Sequence, residues 1–326
     1  MNKPTLLKIA CILFVFCTAT AIASPAQVLT TLHTFQGSPG DGANPGAVLV
    51  HASDGNFYGT TPGGGAYKNG NCLSNDGCGT VFKITPAGTL TVLYSFCSQP
   101  NCSDGADPQP GLVQGSDGNF YGTTEVGGTG TECFYGSCGT VFKITPQGTL
   151  TTLYSFCSQS KCDDGANPSA PVVQGSDGNF YGSTFQGGIL CNPVGCGTIF
   201  KITPSGAVTT LHRFNEFDGY GPYAALVQAS DGNFYGTTVE GGANGLSGQG
   251  TVFKITPGGT LTTLYSFCPL GNCQLEAPDG QFPNGKLLQA NDGNFYGTTS
   301  SGGANQIGFC AEFGCGTVFK IPPAEL

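Results

Sequence analysis

Residues 111–124 read Gly-Leu-Val-Gln-Gly-Ser-Asp-Gly-Asn-Phe-Tyr-Gly-Thr-Thr, and residues 140–156 read Thr-Val-Phe-Lys-Ile-Thr-Pro-Gln-Gly-Thr-Leu-Thr-Thr-Leu-Tyr-Ser-Phe. Ser-Asp-Gly and Pro-Gln-Gly supply the positive φ angles of tight turns, so each stretch predicts a β-hairpin. We name the four predicted strands a (111–114), b (119–124), c (140–145) and d (150–156). Both faces of strand c are largely apolar, which is typical of a sheet that is covered on both sides.

The same unit occurs five times along the chain. Its Asp-Gly-Asn-Phe-Tyr-Gly motif recurs with periods of 63, 60, 54 and 61 residues, at Asn56, Asn119, Asn179, Asn233 and Asn294. A period this long with four strands in each unit is typical of a propeller blade, because solenoid coils repeat at shorter intervals. We therefore predict an all-β protein, a five-bladed β-propeller of four-stranded antiparallel blades.

The two ends of the chain together supply one blade. Residues 28–35 form a strand d without preceding strands a to c, and Thr317–Ile321 is a strand c without a following strand d. Pairing of these segments would complete the last blade, close the ring and cover two exposed sheet edges. A curved, open stack of the same units is the alternative.

The composition favours this fold class and excludes others. Of 326 residues, 54 are Gly and 21 are Pro, and 10% are charged, which disfavours helices because helix surfaces are rich in Lys, Arg and Glu. The 23 Phe and 12 Tyr are too much apolar bulk for a disordered chain. The net charge of −9 makes nucleic acids and anionic membranes poor partners. A protein that binds phosphate groups needs a basic surface to replace their counterions, and this chain has few basic residues.

Residues 1–26 predict a secretory signal peptide, which leaves residues 27–326 as a single five-repeat propeller domain. Lys3 and Lys8 precede an apolar run over residues 9–16, and Ala21-Ile22-Ala23 fits a cleavage site. The run is too short to span a bilayer. We expect a monomeric protein that is secreted or periplasmic, with no membrane insertion of the mature chain.

The cysteines of the mature region fall into seven close pairs. They are Cys72 and Cys78, Cys97 and Cys102, Cys133 and Cys138, Cys157 and Cys162, Cys191 and Cys196, Cys268 and Cys273, and Cys310 and Cys315. A repeat that lacks one member of a pair lacks the other, so we predict seven local disulfides. The alternative is a zinc site with four cysteine ligands from two pairs, which an oxidising compartment and the lack of accompanying histidines disfavour. We expect no metal and no cofactor.

The recurring Asp-Gly-Asn-Phe-Tyr-Gly-Thr-Thr, Gly-Thr-Val-Phe-Lys-Ile-Thr-Pro and Leu-Thr-Thr-Leu-Tyr-Ser-Phe segments resemble those of the GloVer tandem-repeat family of exported bacterial proteins, called "choice-of-anchor". The resemblance covers about residues 28 to 321. It implies a β-propeller-like exported protein and no particular activity. The chain ends at Pro322-Pro323-Ala324-Glu325-Leu326, so the resemblance does not extend to a C-terminal sorting tail.

Few residues point to catalysis. His33 and His212 occupy the strand-d place that Tyr94, Tyr154 and Tyr265 fill in other repeats, which predicts packing roles, and His51 is expected to be structural too. No arrangement resembles a Ser/His/Asp triad or a metal-binding histidine cluster. Gly-rich segments such as Gly63-Gly64-Gly65 follow strands without opening helices, which disfavours a phosphate cradle.

One aspartate precedes each strand a, in an Asp-Gly-x-x-Pro loop. These residues are Asp41, Asp104, Asp164, Asp218 and Asp279. We predict that they cap the loop as Asx-turns. Calcium coordination is the alternative: Asn44, Asp107 and Asn167 three residues later favour it, and Gly221 and Phe282 at the same position disfavour it.

A second aspartate recurs in the a-to-b turn, and a lysine recurs in strand c. The aspartates are Asp54, Asp117, Asp177, Asp231 and Asp292, and the lysines are Lys83, Lys143, Lys201, Lys254 and Lys320. Strand c runs toward the face that carries the a-to-b turn, so each pair is expected to make a weak, exposed ion pair.

Two classes of function fit these observations. The first is a noncatalytic extracellular binding or scaffold protein for carbohydrate or another surface polymer, because the repeated features are structural. The alternative is a hydrolase or lyase that acts on polysaccharide through acids unique to one repeat, as five-bladed propellers include glycosidases with paired acids. The candidate acids are Glu132, Glu216, Glu276 and Glu312.

The variable residues of the repeats are predicted to lie on one face. The d-to-a and b-to-c connections leave each blade on the same face, and they hold every cysteine pair and most of the differences among repeats. Aromatic residues there either stack on sugar rings or pack over the disulfides. The predicted ligand-binding residues are Tyr67, Phe134, Tyr135, Tyr220, Tyr223, Phe309 and Phe313.

Overall fold

The structure is a computed structural model that describes residues 28–68, 72–73, 75–130, 132–133, 138–188, 191, 194–269, 277–304 and 314–323. The chain divides into two units, residues 1–31 and 32–326. Of the first unit, residues 28–31 are described and have no regular secondary structure. The second unit carries all the strands given below.

Antiparallel sheets, most of them four-stranded, account for all the described strands. The first repeat contains β1 (Gly42–Ala43), β2 (Val50–His51), β3 (Phe57–Thr61), β4 (Gly63–Gly64), β5 (Thr80–Ile84) and β6 (Leu90–Ser95), paired as β1-β4 and β2-β3-β5-β6. The second contains β7 (Leu112–Gln114), β8 (Phe120–Thr124), β9 (Thr140–Ile144) and β10 (Leu150–Ser155). The third contains β11 (Val173–Gln174), β12 (Phe180–Thr184), β13 (Thr198–Ile202) and β14 (Val208–Arg213).

The fourth and fifth repeats follow the same order. They contain β15 (Val227–Gln228), β16 (Phe234–Thr238), β17 (Thr251–Ile255), β18 (Leu261–Ser266), β19 (Leu288–Gln289), β20 (Phe295–Thr299) and β21 (Thr317–Ile321). The prediction of an all-β protein is confirmed, and the antiparallel sheets of the first four repeats have the predicted four strands. Short 3-10 turns lie at Pro100–Cys102, Ser160–Cys162 and Gly245–Ser247, and within the described ranges no helix is long and apolar enough to cross a bilayer.

Turn chemistry explains the hairpin register. In the second repeat Gly118 has a φ of 80°, and the backbone N–H of Asn119 donates to the Asp117 carboxylate at 3.1 Å, which closes an Asx-turn. β8 and β9 pair from Phe120 opposite Ile144 to Thr124 opposite Thr140. A bulge in strand d between Thr152 and Tyr154 recurs in the equivalent β5–β6, β13–β14 and β17–β18 pairs.

Aromatic contacts join each sheet to the next. A tyrosine of strand b stacks on a phenylalanine of the following repeat, with ring centroids 3.9–4.0 Å apart, in the pairs Tyr58–Phe120, Tyr121–Phe180, Tyr181–Phe234 and Tyr235–Phe295. A phenylalanine of strand d also meets strand c of the next repeat edge-on, as Phe96 meets Phe142 at 5.1 Å. Sheets packed in this way are covered on both faces, which accounts for the apolar faces of strand c.

The fifth sheet differs from the predicted closed blade. β21 pairs with β20 alone and residues 28–35 form no strand, so the fifth sheet has three strands among the described residues. Phe35 instead meets Phe82 of the first sheet edge-on at 5.2 Å, which is the contact a strand d makes with the next repeat. A cleft of about 430 Å³ lies along β21, and its lining includes Phe267 and Val318.

Candidate ligand-binding face

The d-to-a and b-to-c connections lie side by side in each repeat. Antiparallel bridges join them at Ala106–Val126, Ala166–Gln186, Tyr220–Glu240 and Gln281–Ser301, and the β1–β4 pair does so in the first repeat. We call the surface formed by these two sets of connections the stapled face. The a-to-b and c-to-d connections are the tight turns of the opposite, turn face.

The loop aspartate organises each d-to-a connection. Asp104 is buried, and its carboxylate accepts hydrogen bonds from the Tyr94 hydroxyl at 2.7 Å, the Ser98 N–H at 2.9 Å and the Gln99 N–H at 3.3 Å. The prediction of an Asx-turn was wrong, because the bonds run back to N–H groups five and six residues earlier rather than forward. The same strand-d contact recurs in His33–Asp41, Tyr154–Asp164, His212–Asp218 and Tyr265–Asp279.

Those contacts also show what the histidines do. His33 and His212 hydrogen-bond the loop aspartates at 2.6 and 3.1 Å, as the tyrosines do in other repeats. His51 stacks on Phe57 with ring centroids 5.0 Å apart. Each of the three histidines therefore has a hydrogen-bonding or packing partner within the protein, as expected for a structural residue.

Disulfides lie in both sets of connections. They join Cys72 to Cys78, Cys97 to Cys102, Cys133 to Cys138, Cys157 to Cys162 and Cys191 to Cys196. Cys268 and Cys315 are also disulfide-bonded, and their predicted partners Cys273 and Cys310 lie outside the described residues. The sulfurs of Cys133, Cys138, Cys157 and Cys162 lie within 4.8 Å of one another, but as two disulfides they offer no thiolate to a zinc ion.

A shared backbone conformation explains the position that suggested calcium. The residue at that position has a φ of 55–64° in every repeat, at Asn44, Asp107, Asn167, Gly221 and Phe282. Asn, Asp and Gly adopt this left-handed conformation most readily. Asn167 also donates from its side-chain amide to the Glu125 backbone oxygen at 3.1 Å. The Asn and Asp at this position are therefore explained by backbone geometry rather than by metal ligation.

The turn face carries three of the five predicted aspartate–lysine pairs, and among the described residues Lys83–Asp54 and Lys320–Asp292 form no ion pair within 4.0 Å. Nitrogen–oxygen distances are 3.5 Å for Lys143–Asp117, 2.9 Å for Lys201–Asp177 and 3.4 Å for Lys254–Asp231. Each turn aspartate also accepts from the Asn two residues later and from the strand-b tyrosine, as Asp177 does from Asn179 and Tyr181 at 2.8 Å each. These side chains satisfy one another, which fits a structural role.

Two of the variable positions of the stapled face lie close together. The residue after strand b is Pro62, Glu125, Phe185, Val239 or Ser300, and the residue after the loop proline is Gly46, Gln109, Ser169, Tyr223 or Asn284. The structure brings the two positions together. The Gln109 side chain donates to the Glu125 carboxylate at 2.8 Å, and Phe185 meets Tyr223 with ring centroids 6.0 Å apart.

An aromatic group that includes these positions lies between the third and fourth repeats. Phe185 stands nearly perpendicular to Tyr220 and Tyr223, at interplanar angles of 80° and 87°, and Tyr223 is 47% exposed. A Cβ at Gly221 would lie 2.6 Å from the Phe185 ring, so glycine leaves room for that ring. We call Phe185, Tyr220, Tyr223 and Glu240 the aromatic corner.

Glu240 completes the aromatic corner with a negative charge. Backbone hydrogen bonds of 2.7 and 3.1 Å pair it directly with Tyr220, which places the two side chains next to each other on one side of the bridge. Burial, and then the charge of Glu240, raise the pKa of the Tyr220 phenol. The corner thus offers aromatic surface, a neutral phenol and a carboxylate.

Other predicted site residues are placed elsewhere. Tyr67, 43% exposed, lies in the first repeat, where its backbone oxygen accepts from the Cys78 N–H at 3.2 Å. The Glu132 carboxylate accepts from the Lys161 backbone N–H at 2.6 Å, and the Glu216 backbone oxygen accepts from Gly242 at 2.9 Å. Several predicted residues lie outside the described residues: Phe134, Tyr135, Phe309, Phe313, Glu276 and Glu312.

Sequence analysis missed Phe185, Glu240 and Glu125. Burial raises the pKa of the Glu125 carboxyl, and Glu125 occupies the position that Phe185 fills one repeat later. A position-by-position comparison of the repeats could have found all three, because each is a large or charged residue at a place that other repeats fill with small or unlike ones.

Comparison with known proteins identifies the repeat. The sequence profile described as the Gloeobacter/Verrucomicrobia repeat matches residues 17–161 and 72–274. No curated protein sequence matches the chain.

Several solved structures are similar in backbone. A protein of unknown function from Dyadobacter fermentans is 13% identical, with 77% of this chain and 73% of that one covered and a TM-score of 0.45. A luciferin-regenerating enzyme is 13% identical, with coverages of 77% and 75% and a TM-score of 0.42. A gluconolactonase from Xanthomonas campestris is 13% identical, with a TM-score of 0.38 and 68% of this chain covered, and the match spans 63% of that enzyme's length. These similarities transfer no activity to this chain.

Proposed function

We propose that this chain, which belongs to the Gloeobacter/Verrucomicrobia repeat family, is an exported noncatalytic protein that binds carbohydrate or another extracellular polymer on its stapled face. The observation that carries the proposal is the concentration of sequence differences on that face. Rigid sheets that hold variable loops are the usual design of a binding protein.

The chemistry of the stapled face supports a carbohydrate ligand. The aromatic corner presents three rings, and Tyr223 is 47% exposed, so a sugar ring could stack there while the phenols form hydrogen bonds. The repeated aspartates, in contrast, are occupied by hydrogen bonds within the protein. A ligand would therefore contact the variable residues rather than the framework.

Two finer features belong to the proposal. The five repeats would form the blades of one propeller, closed when residues 28–35 become the fourth strand beside β21. Export after removal of residues 1–26 would place the chain in an oxidising compartment, and the disulfides of the stapled face fit that location.

Glycan-array binding by the secreted protein tests the proposal. We expect selective binding that Tyr220→Ala and Tyr223→Ala each weaken roughly three- to tenfold, since an aromatic contact contributes about 0.5–1.5 kcal/mol. Gln147→Ala in an exposed turn of the opposite face is the matched control and should leave binding unchanged. Absence of binding to any polymer on the array would refute the proposal, and release of reducing sugar would refute its noncatalytic part.

A further inference from the structure

The fourth repeat departs from the others at two paired positions. Tyr220 stands where other repeats have Ala43, Ala106, Ala166 and Gln281, and Glu240 stands where they have Gly63, Val126, Gln186 and Ser301. Tyr220 and Glu240 are direct partners in the bridge that joins the two connections of this repeat. The fourth repeat is also the one repeat without a cysteine in either connection, over residues 214–226 and 239–250.

The geometry of this site suits a cation. Phe185 is nearly perpendicular to both tyrosines, at centroid distances of 6.0 and 6.1 Å, so three aromatic rings meet at one place on the stapled face. The negative faces of such rings attract an ammonium group within about 6 Å. The Glu240 carboxylate lies beside them and, among the described residues, forms no salt bridge within the protein.

We propose that the aromatic corner binds a protonated amino sugar of a polysaccharide, with its ammonium group beside Glu240 and its ring against Tyr223. This inference rests on the proposed function, because it names the class of polymer bound on the stapled face. A neutral sugar would use the rings but leave the Glu240 carboxylate without a counterion. The net charge of −9 on the chain also favours a cationic polymer over an anionic one.

Calorimetric titration with two matched oligosaccharides tests the inference. The probes are a β-1,4-glucosamine hexamer with free amines and the same hexamer fully N-acetylated, which lacks the positive charges. We expect the amine form to bind roughly threefold to tenfold more tightly than the acetylated form, the size of a partly exposed cation–π contact and a charge contact together. Glu240→Gln should remove that preference, and added salt should weaken it in the wild type.

Asp231→Asn is the matched control, since it removes one negative charge from the turn face of the same repeat, opposite the aromatic corner. It should keep the preference for the free amine. Equal affinity for both hexamers, unchanged by Glu240→Gln, would overturn the amino-sugar inference and leave the proposed polysaccharide function standing. If neither hexamer binds, the inference is wrong, and the glycan array decides the proposed function separately. Equally tight binding of a lysine oligomer through Glu240 would contradict a polysaccharide as the ligand.

Discussion

At the residue scale, folding lowers the pKa of the turn aspartate in every repeat. Burial alone would raise the pKa of Asp177, but hydrogen bonds from Asn179, Lys201 and Tyr181 outweigh it and hold that pKa well below its usual range. The same direction holds for Asp54, Asp117, Asp231 and Asp292. A carboxyl whose pKa is lowered by folding stabilises the native state where it is ionised.

This lowered pKa predicts a pH-dependent effect of Asp177→Asn. The carboxylate's contribution is present above its unfolded pKa of about 3.9 and is lost as the pH falls through the lower folded value. Since Asp177 is more than one third exposed, we expect a loss of roughly 0.5–1 kcal/mol at pH 7. Urea unfolding at pH 7 and pH 3 should show the difference from wild type shrinking at pH 3, and an equal difference at both pH values would contradict the assignment.

Local chemistry explains which of these residues could be predicted from sequence. The Ser-Asp-Gly turns follow from spacing within one hairpin, and the lysine contacts follow from the direction of strand c. The structure has the turns and three of the five lysine contacts where the sequence places them. The loop aspartates were assigned the wrong bonds, because a hydrogen bond that runs back to Ser98 from Asp104 depends on the path of the connection. The spacing of residues in the sequence does not determine that path.

At the element scale, the loop aspartate and the disulfide both hold the d-to-a connection. Asp164 is buried and accepts from the Tyr154 hydroxyl and the Ser158 N–H, while the Cys157–Cys162 bridge closes a separation of five residues. The cysteine-free connection of the fourth repeat keeps the same arrangement, with Asp218 bonded to His212 and to the Asn215 N–H. The aspartate therefore organises the connection whether or not a disulfide is present.

We expect Asp164→Ala to destabilise the protein more than removal of the bridge. Replacing Cys157 and Cys162 by Ser should cost about 2 kcal/mol in the chain-entropy account of so short a loop. Loss of the Asp164 carboxylate leaves buried donors unsatisfied, at about 1–3 kcal/mol for each. Denaturant unfolding measures both, and Asp218→Ala in the cysteine-free connection serves as the control with a similar loss. A larger loss from the cysteine replacement would show that the bridge dominates.

The strand positions were predictable and the aromatic corner was not, for a physical reason. β8 begins at Phe120 and β9 ends at Ile144, each within one residue of the predicted strand ends, because the turns that bound them are local. The aromatic corner joins Phe185 of one repeat to Tyr223 of the next. That contact depends on how consecutive sheets stack, which hydrophobic patterning within one repeat does not specify.

At the scale of the whole molecule, strand c of the fifth repeat is exposed where strand c of other repeats is covered. Val318 of β21 is 80% exposed, whereas Val81, Val141 and Val252 at the same position are fully buried beneath a strand d. Residues 29–35, Leu-Thr-Thr-Leu-His-Thr-Phe, match the strand-d sequence of residues 150–156. The edge of β21 thus lacks the element that the N-terminal segment resembles.

Ring closure predicts a specific register between these segments. Thr151 pairs with Lys143 in the second repeat, so Thr30 should pair with Lys320 in the closed ring. We expect Thr30→Cys combined with Lys320→Cys to form an additional disulfide within one chain, seen at the monomer mass on a non-reducing gel and as a linked peptide by mass spectrometry. Thr30→Cys with Lys143→Cys is the control and should not cross-link, because Lys143 already faces Thr151. A cross-linked dimer would mean that the strand is donated to a second copy, and the absence of any cross-link would mean that the array stays open.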